Sequence, residues 1–136
     1  MIPLCRSENI ALIPWSPTAG GFLSGKYFLD GKIATTEADH RRVVPGSVGY
    51  RRYVRSDSHE VVRRLRELAE RKGVTPTQVA LQWLLTKGVT APIVGTSKVE
   101  HLEEMVEALD VTLSPEDAAY LEAPYVPQPV AVDSWH

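Results

Sequence analysis

Ile10-Ala11-Leu12-Ile13-Pro14-Trp15 is a run of apolar, β-prone residues with no polar alternation. A strand with one wet face alternates; a run of this kind has both faces buried, as parallel strands covered by helices do. A second run of the same character, Val89 to Val94, lies further along, with Pro92 tolerated near its start or at an edge. The segments between and after these runs have helical periodicity, so the order reads β-loop-α-α-β-α-α and predicts an α/β fold. Two such strands cannot form a sheet alone, because a central parallel strand needs a hydrogen-bonded neighbour on each side. The chain is therefore expected to be the back part of something larger.

The helices are marked by their ends. Residues 1–9 read as the end of a helix leaving through Glu8-Asn9. Asp57 with Glu60 three residues on reads as a capping box, with Val61, Leu65, Leu68 and Ala69 on one stripe and a stop at Gly73. Thr75-Pro76-Thr77-Gln78 is a second start, and the helix behind it, Val79 to Lys87, is apolar around most of its circumference. Ser97-Lys98-Val99-Glu100 predicts a third box, with Val99, Leu102, Val106 and Leu109 on one face of its helix. Ser114-Pro115-Glu116-Asp117 opens a last short helix to about Ala123, and Pro124, Pro127 and Pro129 prevent regular structure after it. Residues 18–33 read as a Gly-rich loop closed by Asp30-Gly31. From Ala34 to Arg55 there is no steady period, and arginines 41, 42, 51, 52 and 55 make it either a flap over an anionic ligand or a solvated loop.

Composition narrows the function classes. The chain has 136 residues, 43% hydrophobic and 24% charged, which suits one globular domain. Lys+Arg 15 against Asp+Glu 17 gives a net charge of −2, so the basic footprint of a nucleic-acid partner is missing. No apolar stretch is long enough to cross a membrane, and the start lacks a secretory pattern. A single cysteine, Cys5, excludes an intrachain disulfide and a Cys-rich metal site; no metal is expected. A reduced, cytoplasmic setting is the expectation.

Two segments carry chemistry. Gly20, Gly25 and Lys26 fit the first part of a phosphate-binding loop, G-x-x-x-x-G-K, but Tyr27 stands where a magnesium-holding hydroxyl should follow, and no helix starts there. Gly95 at a strand end, followed by Thr96, Ser97 and Lys98 at a helix start, brings free N–H groups, hydroxyls and an ammonium to one point. Taken alone, that segment is equally an anion site or a plain capping box.

Together the two segments carry a resemblance. Ile13-Pro14-Trp15-Ser16-Pro17-Thr18-Ala19-Gly20-Gly21-Phe22-Leu23-Ser24-Gly25-Lys26-Tyr27 resembles the seventh-strand loop of the aldo-keto reductases, and Pro92 to Glu104 resembles their eighth-strand cofactor motif. The resemblance implies that residues 1–136 are the C-terminal portion of a (β/α)8 barrel, strands 7 and 8 with their helices. It also implies an oxidoreductase that reduces aldehydes and ketones with NADPH, phosphates being held after those strands. By family position Trp15 would lie against the nicotinamide, and Ser16, Pro17, Thr18 and Ala19 would line the pyrophosphate with Lys26 adding charge. Gly95, Ser97 and Lys98 would hold the adenosine 2′-phosphate end, with His101 and Glu104 near the adenine. Lys98 is the candidate for NADP over NAD preference. Thr18 and Met105 depart from the family pattern, which has leucine and asparagine there.

The family's catalytic tyrosine, lysine, aspartate and histidine all precede the sixth strand, and this chain is expected to begin at the end of the sixth helix. It thus carries part of the cofactor site and none of the catalytic residues. A small carbonyl substrate is expected only if the barrel is completed, with the missing N-terminal half as a partner. The alternatives are a non-catalytic nucleotide-binding or regulatory module and a scaffold whose open strand edges pair with another chain.

Overall fold

The computed structural model describes residues 1–29, 32–33, 53–55 and 57–127. Helix α1 (Ile2–Ser7) leads into the first extended segment, and a kinked 3-10 stretch follows at Ala19–Ser24. Strands β1 (Phe28–Leu29) and β2 (Lys32–Ile33) pair antiparallel. Four elements complete the order: α2 (Ser58–Lys72), α3 (Pro76–Thr86), α4 (Val99–Glu107) continued by a 3-10 turn at Ala108–Asp110, and α5 (Pro115–Glu122). The described residues are mostly helical. Arginines 41, 42, 51 and 52 of the flap or solvated loop lie outside them, as do the Asp30-Gly31 turn, His40 and His136.

The two apolar runs do come together, though more weakly than regular strands. Leu12 O accepts from Thr90 N at 2.9 Å and Ala91 N at 3.2 Å, and Pro14 O accepts from Ile93 N at 2.8 Å. Trp15 and Ile93 form a parallel bridge. The expected burial of both faces is not found: Ile13 is 59% exposed and Trp15 67%. No further extended segment pairs with their outer edges among the described residues. Among the described residues, edge and face are both open.

The core forms where helix stripes meet. Leu65, Leu68 and Ala69 of α2 pack against Val79 and Ala80 of α3, with Val111, Leu113 and Leu121 closing the cluster. A second cluster joins Phe22 and Tyr27 of the Gly-rich loop to Val62 of α2. Val62, not Val61, is therefore the fully buried member of the α2 stripe. On α4 the face carrying Val99, Leu102, Val106 and Leu109 is exposed throughout, 66% at Val99 and 67% at Leu109. The stripe is real as a sequence pattern but has no partner surface here.

Neither helix start read as a capping box, Asp57 with Glu60 or Ser97 with Glu100, forms one, whereas the other two starts do. Thr75 Oγ1 accepts from Gln78 N while Gln78 Oε1 accepts from Thr75 N, and Pro76 occupies the first turn. Ser114 and Asp117 make the same reciprocal pair. Asp57 is an N-cap without a side-chain cap; its Oδ2 accepts from Val126 N at 3.2 Å instead. Glu60 is taken by Arg63 and Arg64, which hold its carboxyl well down, at about 2. At α4 the N-cap is Lys98, because Thr96 Oγ1, one residue before Ser97, accepts the Lys98 N–H at 3.1 Å. Thr75→Ala is expected to lower stability by about 1 kcal/mol in urea denaturation, since it removes a hydroxyl acceptor from an otherwise orphaned donor.

Charged contacts fasten α5 to the α2–α3 pair. Trp83 Nε1 donates to Glu122 Oε1 at 2.8 Å, Lys87 pairs with the same carboxylate, and Lys72 Nζ lies 2.7 Å from Asp117 Oδ2. Lys87 and then Trp83 hold the Glu122 carboxyl below its usual range, and Lys72 does the same for Asp117. A depressed folded-state value means that the unfolded chain binds protons more readily, so this stability is present above the ordinary carboxylate range and is lost as pH falls through it. Melting temperature is accordingly expected to drop below about pH 4, and the double variant Asp117→Asn, Glu122→Gln to show a flatter acid limb.

Candidate functional site

The Gly-rich loop takes its shape from a series of left-handed residues. Ser16 (φ 51) and Ala19 (φ 52) adopt positive φ, which L side chains rarely do, and Gly20, Gly21 and Gly25 continue it. Non-glycine residues in this region cost about 1–3 kcal/mol each and persist only where the surroundings hold them. Here the restraints are visible: Ala19 N donates to Ser16 O at 2.9 Å, Gly21 N and Leu23 N donate to Thr18 O at 3.0 and 3.1 Å, and Ser24 Oγ donates to Gly21 O at 2.7 Å. Buried Phe22 and Tyr27 anchor the loop against α2. A Cβ at Gly25 would come within 3.2 Å of the Arg66 side chain, at a φ of 77° that already disfavours one.

That loop faces the start of α4 across a groove. In its outer half, about 360 Å³, Thr18, Gly20, Gly21, Ser24, Lys26 and Tyr27 stand on one side and Gly95, Thr96, Ser97, His101, Glu104 and Met105 on the other. Thr77, from the first turn of α3, contributes to the same wall. The inner half, about 700 Å³, runs on to Trp15, Ser16, Pro17, Ile93 and Val94 and shares Thr18, Gly20, Gly95, Thr96, Ser97 and Met105 with the outer one. Two stretches remote in sequence thus form opposite walls of one continuous depression, with Trp15 at one end and His101 and Glu104 at the other.

Of the residues singled out from sequence, Trp15, Ser16, Pro17, Thr18, Lys26, Gly95, Ser97, His101 and Glu104 line this groove. Ala19 and Lys98 do not. Ala19 is held in the loop beneath, and Lys98 sits at the α4 N-cap beside the groove, fully on the surface. Trp15 is not a core aromatic: two thirds of it is exposed, leaving a flat apolar face available. Sequence reasoning missed Thr77. Its signal was present in the Thr75-Pro76 helix start, but nothing local indicates that this start aims at the Gly-rich loop.

The groove's lining is rich in groups that can hydrogen-bond or attract an anion. It offers backbone N–H groups at a helix start, hydroxyls of Thr18, Ser24, Thr77, Thr96 and Ser97, and the Lys26 ammonium, which lies 4.7 Å from the Tyr27 ring centre. Among the described residues no cluster of His, Cys, Asp and Glu could hold a metal. No helix is long and apolar enough to cross a membrane, again among the described residues.

The one parallel bridge between the two apolar runs, Trp15 with Ile93, joins two residues that both line this groove. Comparison with known proteins gives the class: the aldo/keto reductase family profile matches residues 1–125, and the chain belongs to that family. It is similar to a Schizosaccharomyces pombe protein bearing the name aryl-alcohol dehydrogenase, at 37% identity over 131 residues, 96% of this chain and 35% of that protein. Versiconal hemiacetal acetate reductase of Aspergillus parasiticus is 34% identical over 131 residues, 96% of this chain and 36% of its own length. Aldo-keto reductase AMT2 of Alternaria alternata is 36% identical over 129 residues, 95% of this chain and 33% of its own. The chain therefore spans about a third of the length of the curated relatives it matches.

Proposed function

We propose that these residues are the C-terminal, cofactor-holding portion of an NADP(H)-dependent aldo-keto reductase, comprising strands 7 and 8 of a (β/α)8 barrel with their helices. The observation that carries this reading is the meeting of the Trp15–Lys26 loop and the Gly95–Glu104 segment across one groove. In this reading the open face of Trp15 receives the nicotinamide, and Ser16, Pro17 and Thr18 with the loop's N–H groups receive the pyrophosphate. Ala19 keeps the loop in its left-handed shape. Gly95, Ser97 and, from the rim, Lys98 face the 2′-phosphate end, and His101 and Glu104 flank the adenine. Lys26, expected at the pyrophosphate, is reassigned to the 2′-phosphate end because it lines the part of the groove with His101 and not the part with Trp15. When bound, NADPH supplies a hydride to an aldehyde or ketone.

A general acid must stand within hydrogen-bond reach of the substrate oxygen. None of the five tyrosines is assigned that role, so the proton donor belongs to the remaining part of the barrel. Exposure of Ile13, Trp15, Val99 and Leu109 favours a second component of the same reading: a polypeptide carrying the other β/α units, in the same chain or a partner chain, covers this face. The setting proposed is cytoplasmic.

The test is a chemical-shift titration of the ¹⁵N-labelled chain with NADP⁺ and NAD⁺. A millimolar isotherm is expected, stronger for NADP⁺, with shifts concentrated at 16–26 and 94–105. Lys26→Ala should weaken NADP⁺ by about tenfold, the worth of one charge-assisted contact. An absence of shifts at millimolar nucleotide, or shifts elsewhere on the surface, would overturn the assignment.

A further inference from the structure

The first turn of α3 presents two unused donors to the outer end of the groove. Helices begin with orphan N–H groups that need acceptors. In α3 these are nearly all accounted for: Pro76 has none, Gln78 N donates to Thr75 Oγ1, and Val79 N donates to Thr75 O. Thr77 is the exception. Neither its backbone N–H nor its hydroxyl has a hydrogen-bond partner among the described residues, although the residue is only 6% exposed. Gln82 Oε1 is the one side-chain atom both sealed from solvent and unpartnered among the described residues, so the Thr77 hydroxyl keeps access, and the space it lines is the groove. A hydroxyl donor that opens on the groove without a protein acceptor can bond a ligand held there.

We infer that Thr77 is a nucleotide-binding residue whose hydroxyl and N–H donate to the 2′-phosphate, making it a determinant of NADP over NAD selection. The inference rests on the cofactor reading above. Thr77 lines only the outer half of the groove, with Lys26 and His101, and not the inner half that holds Trp15. If the nicotinamide lies at Trp15, the phosphate within reach of Thr77 is the one on the adenosine ribose. An anion there meets two donors on one residue, the positive end of α3, and the Lys26 ammonium, which lines the same part of the groove.

The experiment compares 2′,5′-ADP with 5′-ADP by ¹⁵N chemical-shift titration of the full chain. The variants are Thr77→Val, which keeps shape and loses the hydroxyl, and Thr77→Ser, which keeps the hydroxyl. Thr77→Val is expected to weaken 2′,5′-ADP roughly tenfold while changing 5′-ADP by less than about twofold, and Thr77→Ser to stay near wild type. Circular dichroism melting of each variant confirms that the fold is kept. Wild-type-like binding of 2′,5′-ADP by Thr77→Val, or equal weakening of both ligands, overturns the role of Thr77 and leaves the cofactor reading standing. Failure of the unmutated chain to bind either ligand overturns both.

Discussion

Placed in a relative such as versiconal hemiacetal acetate reductase, in exchange for that protein's own matching segment, the chain is expected to bind NADPH about a thousandfold more tightly than it does alone. The reason is the state of its surface. Trp15 presents one flat face to water and the groove is open along its length, so bound nucleotide stays largely solvated. Three or four charge-assisted contacts must then offset association costs of about 4–15 kcal/mol, which leaves millimolar affinity. Closing the barrel removes water from the nicotinamide end and strengthens each remaining polar contact; about 4 kcal/mol of gain corresponds to the thousandfold. The chimera should also reduce aldehydes, its general acid coming from the relative, whereas the 136-residue chain should show no turnover. Leu102→Ser with Leu109→Ser separates the causes: on an exposed face these changes should alter the stability of the lone chain by less than about 0.5 kcal/mol, yet prevent the chimera from closing. Micromolar NADPH binding by the lone chain, measured by fluorescence titration, would show that its own residues suffice.

The second large effect lies in the core. Leu68 is 1% exposed and packs among Leu65, Val79, Val111 and Leu121, where α2, α3 and α5 meet. Truncating such a leucine removes its transfer energy and leaves a cavity, together about 2–5 kcal/mol. This cluster is the larger of two among the described residues, and one face beside it is uncovered, so Leu68→Ala is expected to abolish cooperative urea unfolding at 25 °C, with loss of near-ultraviolet circular dichroism. A variant that still unfolds cooperatively, shifted by under 1 kcal/mol, would place the stability of the chain elsewhere, for instance in the Phe22–Tyr27–Val62 cluster.

Local signals were legible where the side chains they involve had no competitor. Thr75 and Gln78, and Ser114 and Asp117, cap as their spacing predicts because nothing else claims those groups. Asp57 and Glu60 have the same spacing but different partners: the Val126 N–H in one case, Arg63 and Arg64 in the other. At the start of α4 the N-cap is Lys98, without a side-chain cap, and its N–H donates to the hydroxyl of Thr96. Spacing along the chain records which contacts are possible; competition from groups brought up by folding decides which are made.

The amino-acid order by itself determined the helix positions and the apolar, extended character of Ile10–Trp15 and Val89–Val94, because each depends on residues within a turn or two of one another. Three things were decided only in three dimensions: that the Gly-rich loop and the start of α4 border one groove, that Thr77 joins them, and that the α4 stripe and the Trp15 edge stand uncovered. Each concerns surfaces separated by dozens of residues. Which surfaces meet, and which stay in water, depends on how the helices stack, and no short stretch of sequence records that.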